Sequence, residues 1–129
     1  MTKQIWANLA VRDVGRTRKF FTDLGLKLNV GYDSGDQLAS ILFGDDDFVV
    51  HFFPESTLKR AADTAIVDAR NESEVLFTLS AETRTEVDEW AKKVKAAGGT
   101  MWAEPTESQG MYGCGFADPD GHRWNILCR

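Results

Sequence analysis

The sequence predicts an α+β fold of two βαβββ modules that pair in a single domain around a cavity, with a helix on the outer face of each mixed sheet. Two patterns predict it. The order of strand, helix, glycine and three further strands occurs twice within 129 residues, and two copies are too few for an open repeat array. The predicted strands also alternate apolar and polar side chains, so each sheet has one apolar face for its helix to cover.

The first module is predicted to span residues 4–53. Its helix begins after Asp13, whose carboxylate can accept from the free amides of the first turn, and ends at Gly25 as a left-handed cap. Its strands are predicted at residues 4–11, 26–32, 37–43 and 48–53. Short turns join the last three, which favours an antiparallel meander. A polar connector follows at residues 54–72, with a short helix at 55–62.

The second module is predicted to span residues 73–128. Either Thr83 or Thr85 caps its helix, and Gly98 ends it. Its strands are predicted at residues 74–80, 100–103, 111–117 and 123–128. A loop is expected at 105–110 and a tight turn at 118–121.

Composition excludes several classes of partner. The net charge is −5, and no cluster of Lys and Arg is present, so neither nucleic acid nor an anionic membrane surface is an expected partner. No apolar run is long enough for a signal peptide or a membrane span, and the cytoplasm is the expected location. We expect Cys114 and Cys128 to be reduced, partly buried thiols, with a single disulfide as the alternative; their role stays open.

Strand alternation places a mixed set of side chains on the sheet faces opposite the helices. Some of its members are aromatic and others are polar, and the set consists of Trp6, Asn8, His51, Phe53, Thr78, Arg123 and Asn125. A dry core would disfavour the two asparagines and the arginine, because a buried polar group without a partner costs roughly 1–3 kcal/mol. The set therefore predicts a polar cavity and a ligand-binding role.

Three segments resemble the vicinal oxygen chelate superfamily, which includes glyoxalase I, bleomycin-resistance proteins, fosfomycin-resistance enzymes and extradiol dioxygenases. They are NLAVRDVGRTRKFFTDLGL at residues 8–26, AAGGT at 96–100 and GFADPDGHRWNIL at 115–127. The resemblance implies cup-shaped sheets, a homodimer and, in the enzymes, a divalent metal that chelates two neighbouring substrate oxygens.

The four metal-ligand positions of that superfamily fall here on Trp6, His51, Leu76 and Asn125. Tryptophan and leucine have no lone pair to give a metal, so no metal site and no cofactor are expected, although a divalent metal stays open as an alternative. The resemblance then favours a binding protein for a small organic molecule, as in the bleomycin-resistance branch. The alternatives are a glyoxalase-like lyase or isomerase and a non-catalytic interaction module.

His51 is the one candidate catalytic residue. It could act as a general base or contact the ligand at the floor of the cavity. The structural alternative is a histidine packed and hydrogen-bonded among aromatic side chains. Trp6, Asn8, Phe53, Arg123 and Asn125 are the other candidate ligand-binding residues.

Overall fold

Helices and strands follow the predicted order in a computed structural model that describes all 129 residues. The backbone separates into two compact units, Met1–Ile66 and Val67–Arg129. The first unit contains β1 (Ala7–Val11), α1 (Val14–Asp23), β2 (Lys27–Leu28), β3 (Ala39–Phe43), β4 (Phe48–Pro54) and α2 (Glu55–Ala62). The second contains β5 (Leu76–Ser80), α3 (Arg84–Ala97), β6 (Thr100–Ser108), β7 (Met111–Ala117) and β8 (Arg123–Cys128).

The two units share one sheet topology. The strand order is β1-β4-β3-β2 in the first sheet and β5-β8-β7-β6 in the second. In each sheet the first strand runs parallel to the last, and the other pairs are antiparallel. The predicted α+β class, the repeated module and the antiparallel meander of the first module are confirmed.

Aromatic side chains fix α1 on one face of the first sheet. Phe20 and Phe21 of the helix are fully buried. The Phe21 ring stacks on Phe52 of β4 at 4.9 Å and meets Phe43 of β3 edge-on at 5.7 Å. Burying one such ring contributes about 1.5–3 kcal/mol. The strand residues of opposite parity must therefore point away from α1.

A row of stacked rings fixes α3 in the same way in the second unit. Trp90 of α3 stacks on Phe116 of β7 at 6.5 Å, and Phe116 stacks on Trp124 of β8 at 6.4 Å. Phe77 of β5 continues the row, 4.8 Å from Trp124. Phe77, Phe116 and Trp124 therefore mark the side of β5, β7 and β8 that faces α3.

The predicted helix ends are confirmed. The Asp13 carboxylate accepts from the Arg16 amide at 3.0 Å, and the Thr83 hydroxyl, rather than that of Thr85, accepts from the Glu86 amide at 3.1 Å. Gly25 and Gly98 both have a φ of 96°, in the left-handed region. The short helix over residues 55–62 is also present. No helix has the length and apolar character needed to cross a membrane.

Several predicted strands are too long. β1 begins at Ala7 rather than residue 4, and β5 begins at Leu76 rather than residue 74. Both lie at a sheet edge and pair with one neighbour only, and the side chains of Ile5 and Val75 are exposed. No burial holds these residues in the sheet. β4 differs by one residue, because Pro54 still pairs with Val11.

The prediction of a strand over residues 26–32 is wrong beyond Leu28. The segment turns at Asn29, whose carbonyl accepts from the amides of Tyr32 and Asp33, both at 3.0 Å. A second turn follows, in which the Gln37 amide donates to Ser34, so β3 starts at Ala39 rather than residue 37. Local hydrogen bonds thus outweigh the apolar alternation in this segment.

The predicted loop at residues 105–110 is also wrong, because β6 continues to Ser108. Two register shifts against β7 lengthen it, one between Met101 and Ala103 and one between Ala103 and Thr106. Pro105 falls within the second shift, and β6 is an edge strand. Both circumstances let a strand tolerate proline.

The turn between β7 and β8 is organised by a buried carboxylate. Asp118 accepts from the amides of Asp120 and His122 at 3.1 and 3.0 Å and from the Trp124 indole at 3.2 Å. Its burial raises the pKa of the carboxyl to about 6, although the nearby His122 and the indole hydrogen bond oppose that rise. Asp118 thus joins the turn to the stacked core.

We expect Asp118→Asn to be less stable than the wild type by about 1–2 kcal/mol at pH 4.5, because the new amide N–H group faces the donor of Trp124. The difference should shrink by roughly 1–3 kcal/mol towards pH 7. The pKa of Asp118 is higher in the folded protein than the ordinary value near 3.9, so ionisation costs the wild type stability between about pH 4 and pH 6. Urea unfolding at four pH values measures this, and a difference that grows with pH would contradict it.

Candidate functional site

The face of the first sheet opposite α1 carries the candidate residues of the first unit. Asn8 of β1 pairs in register with His51 of β4, which pairs in register with Ser40 of β3. Directly paired residues point to the same side of a sheet, so these three form one row. Phe53 has the same parity, and the Trp6 ring lies 6.1 Å from the His51 ring. The structure thus brings Trp6, Asn8, His51 and Phe53 together.

His51 is surrounded by three aromatic rings, a group that we call the His51 cluster. The Trp6, Tyr32 and Phe53 rings lie 6.1, 6.0 and 5.7 Å from the imidazole. Trp6 remains 48% exposed and Tyr32 65% exposed. Large rings that are held together but remain exposed form a surface to which a further planar group can add.

Tyr32 is the member that sequence reasoning missed, because its segment was predicted to be a strand. An arginine of α1 holds that segment in place. Arg18 donates from Nε to Asp33 at 2.9 Å and from a terminal nitrogen to the carbonyl oxygens of Gly35 and Leu38 at 2.7 and 3.1 Å. Asp33 also accepts from the Ser40 amide at 3.1 Å. The available signal was the run of turn-forming residues around Tyr32, which is typical of a loop.

In this row His51 is partly buried and Ser40 is fully buried, whereas Asn8 is exposed. Partial burial lowers the pKa of His51, so the imidazole is neutral at pH 7. The Ser40 side chain beside it is fully buried, and its hydroxyl has no hydrogen-bond partner. A neutral imidazole can donate from one nitrogen and accept at the other, so His51 can hydrogen-bond a ligand or take a proton from it.

The face of the second sheet opposite α3 carries the other candidates. Thr78 of β5, Asn125 of β8 and Gly115 of β7 form one row in register. Arg123 lies two residues before Asn125 and pairs with Leu76. The structure thus brings Arg123 and Asn125 to one face, as predicted, with Thr78 beside them.

Trp102 is the residue of this face that sequence reasoning missed. It is the extra residue at the first register shift of β6, so it has no partner on β7. Its ring lies over Gly115, where a β-carbon would clash with the indole. Arg123 lies above the same ring, with its guanidinium carbon 5.3 Å from the ring centre. A bulge can redirect a side chain in this way, and it is invisible to simple alternation.

Two open cavities lie along the second unit. One, of about 530 Å³, is lined by Thr78, Ser80, Ala81, Glu82, Met111, Leu127 and Arg129. The other, of about 210 Å³, includes Asn125 and Gly113 in its lining. A β-carbon at Gly113 would clash with the Leu127 side chain and the Ile126 carbonyl, so glycine is required where these groups approach β7.

Cys114 and Cys128 form no disulfide in the structure, and both are buried rather than partly buried. Burial raises the pKa of the Cys114 thiol to about 11. Since the thiolate is the nucleophilic form, Cys114 is inert near neutral pH.

The four residues that the family resemblance assigns to metal-ligand positions do not fit a divalent cation. Trp6 and Leu76 have no lone pair for a metal, Asn125 is a weak oxygen donor, and His51 is the only strong ligand among the four. The chain also contains no group of three His, Cys, Asp or Glu side chains placed to hold an ion. Catalytic zinc usually takes three protein ligands.

Known structures share this fold. A hypothetical protein of S. aureus, SA1046, is 32% identical, with a TM-score of 0.88 over 100% of this chain and 95% of that one. A glyoxalase-related enzyme from Fulvimarina pelagi is 20% identical, with a TM-score of 0.84 over 99% and 89% of the two chains. A lactoylglutathione lyase from Agrobacterium tumefaciens is also 20% identical, with a TM-score of 0.71 over 99% and 94%.

No curated protein matches the sequence. The profile of one protein family does match, and it spans residues 3–126, nearly the whole chain. The repeated βαβββ topology of the two sheets agrees with that match. The chain therefore belongs to the Glyoxalase/Bleomycin resistance protein/Dioxygenase superfamily.

Proposed function

We propose that this protein binds a small organic molecule with a conjugated ring at the His51 cluster, without a divalent metal. The observation that carries the proposal is the placement of three rings within about 6 Å of His51, two of them extensively exposed. Stacked or edge-on ring pairs contribute about 0.5–1.5 kcal/mol beyond the burial of their area. A planar ligand would gain both contributions here.

The polar groups beside the rings would orient the ligand. Asn8 is exposed next to His51 in the register, and its side-chain amide both donates and accepts. The neutral imidazole does the same. Small-molecule sites are usually lined by several aromatic or apolar side chains and only a few polar groups.

Arg18 supports the site from the helix. Its contacts with Asp33, Gly35 and Leu38 hold the loop that carries Tyr32. The Arg18 and Asp33 side chains are only 22% and 16% exposed, so their pairing is better shielded than a surface ion pair. A site whose aromatic wall is already in place loses less entropy on binding.

Proton transfer at His51 is the second candidate function, because a base with a lowered pKa is in its unprotonated, accepting form at pH 7. The lactoylglutathione lyase among the similar structures makes a glutathione-conjugated substrate the natural one to test.

Substitutions in the His51 cluster test whether its rings stack on a ligand. With 2-naphthamide as a neutral probe, Trp6→Ala and Tyr32→Ala should each weaken binding about three- to tenfold, which corresponds to the loss of one ring contact. Isothermal titration calorimetry measures the change. The matched control is Phe48→Ala, since Phe48 is a partly exposed ring of the same unit whose parity on β4 places it on the α1 side. The proposal would be contradicted if all three variants lost the same affinity for 2-naphthamide, or if none of them lost any.

Metal content and turnover distinguish binding from lyase chemistry. Protein purified without added metal should contain far less than one equivalent of divalent metal, and it should not convert the adduct of methylglyoxal and glutathione. Elemental analysis and the spectrophotometric assay test this together. Stoichiometric metal, with turnover that is lost in His51→Ala, would replace the binding function with lyase chemistry. Turnover without metal that is lost in the same variant would favour proton transfer by His51.

A further inference from the structure

The second unit pairs an arginine with an aromatic ring at two places. Arg84 lies over the Tyr112 ring at 4.9 Å, and Arg123 lies over the Trp102 ring at 5.3 Å. Arg84 is also ion-paired with Glu107. Arg123 has no ion-pair partner in the chain, although its side chain is half-buried. A carboxylate thus neutralises Arg84 in the first pair, whereas no carboxylate contacts Arg123 in the second.

The pair formed by Arg123 and Trp102 is held in a built position. The first bulge of β6 directs Trp102 across β7, and the missing side chain of Gly115 makes room for its ring. The ring in turn supports the planar guanidinium, which keeps its N–H donors available at the edge of the stack. The position of Arg123 is therefore restricted before any anion arrives.

From this geometry we infer that Arg123 and Trp102 form a binding site for an aromatic carboxylate. The guanidinium matches the two oxygens of a carboxylate, and Trp102, which is 40% exposed, offers ring surface beside it. Asn125 lies two residues along the same strand, roughly 6.6 Å away at the spacing of a β-strand, and can hydrogen-bond a further polar group. This inference rests on the proposed function, the binding of small organic molecules, and it names aromatic carboxylates as the ligand class of the second unit.

The test uses 2-naphthoate and its neutral counterpart 2-naphthamide, titrated into ¹⁵N-labelled protein. The Trp102 indole signal is identified by its loss in Trp102→Phe, and the Arg123 Nε signal by its loss in Arg123→Gln. We expect 2-naphthoate to shift both signals and 2-naphthamide to bind there at least about tenfold more weakly, which is the factor for one charge-assisted hydrogen bond. Inorganic phosphate, which lacks a ring, should also bind at least tenfold more weakly.

Arg123→Gln should weaken 2-naphthoate binding at least tenfold. Arg84→Gln is the matched control, since it removes the same charge from the same kind of stack, and it should change the affinity less than twofold. Arg123→Lys keeps the charge and the aliphatic stem but loses the planar fork. Its affinity for 2-naphthoate should lie between those of the wild type and Arg123→Gln. This variant preserves the test if Arg123→Gln fails to fold. Unchanged affinity in the Arg123 variants, or an equal loss in Arg84→Gln, would overturn the inference.

The outcomes separate this inference from the proposed function. If 2-naphthamide binds through Trp6 and Tyr32 while 2-naphthoate shows no dependence on Arg123, the proposed function stands and the carboxylate site is refuted. If 2-naphthoate binds through Arg123 while the His51 cluster responds to neither probe, the carboxylate site stands and the proposed function fails.

Discussion

Each sheet packs its long helix on one face only, and this packing is the constraint on which the rest of the structure depends. Phe21 of α1 against Phe52 places Phe52 on the helix side of β4. Trp90 of α3 against Phe116, which stacks on Trp124, does the same for β7 and β8. Because side chains alternate along a strand, the residues next to Phe52, Phe116 and Trp124 in sequence must point to the face opposite the helix. The chemistry of those faces is therefore set by the same packing that stabilises the core.

The two faces opposite the helices differ in what they can bind. The first presents aromatic rings around a partly buried imidazole, and the second presents a guanidinium stacked on an indole. Neither set of functional side chains includes a carboxylate or a thiolate, the ligands that would favour a divalent cation. We propose that both sets bind conjugated organic molecules and that the guanidinium adds a preference for an anionic one.

Much of the fold and part of the site follow from local rules. Asp13, Thr83 and Gly98 act as caps because capping depends on neighbouring residues alone. His51 and Asn125 were placed correctly by strand alternation. Tyr32 was not, because its loop is held by Arg18 of the preceding helix, a contact between residues far apart in sequence. Trp102 was missed because one extra residue in β6 breaks the alternation.

We propose that His51 lies partly buried among rings that receive a planar molecule and not a metal ion. The imidazole NMR spectrum tests it most directly, because the chain has only two histidines, His51 and His122, and His51→Gln assigns the signals. We expect the pKa of His51 to lie below the ordinary value of 6.5. Its signals should shift on addition of 2-naphthamide and stay in place with equimolar Zn²⁺. A His51 signal that titrates at or above 6.5, ignores the probe and responds to stoichiometric Zn²⁺ would contradict it.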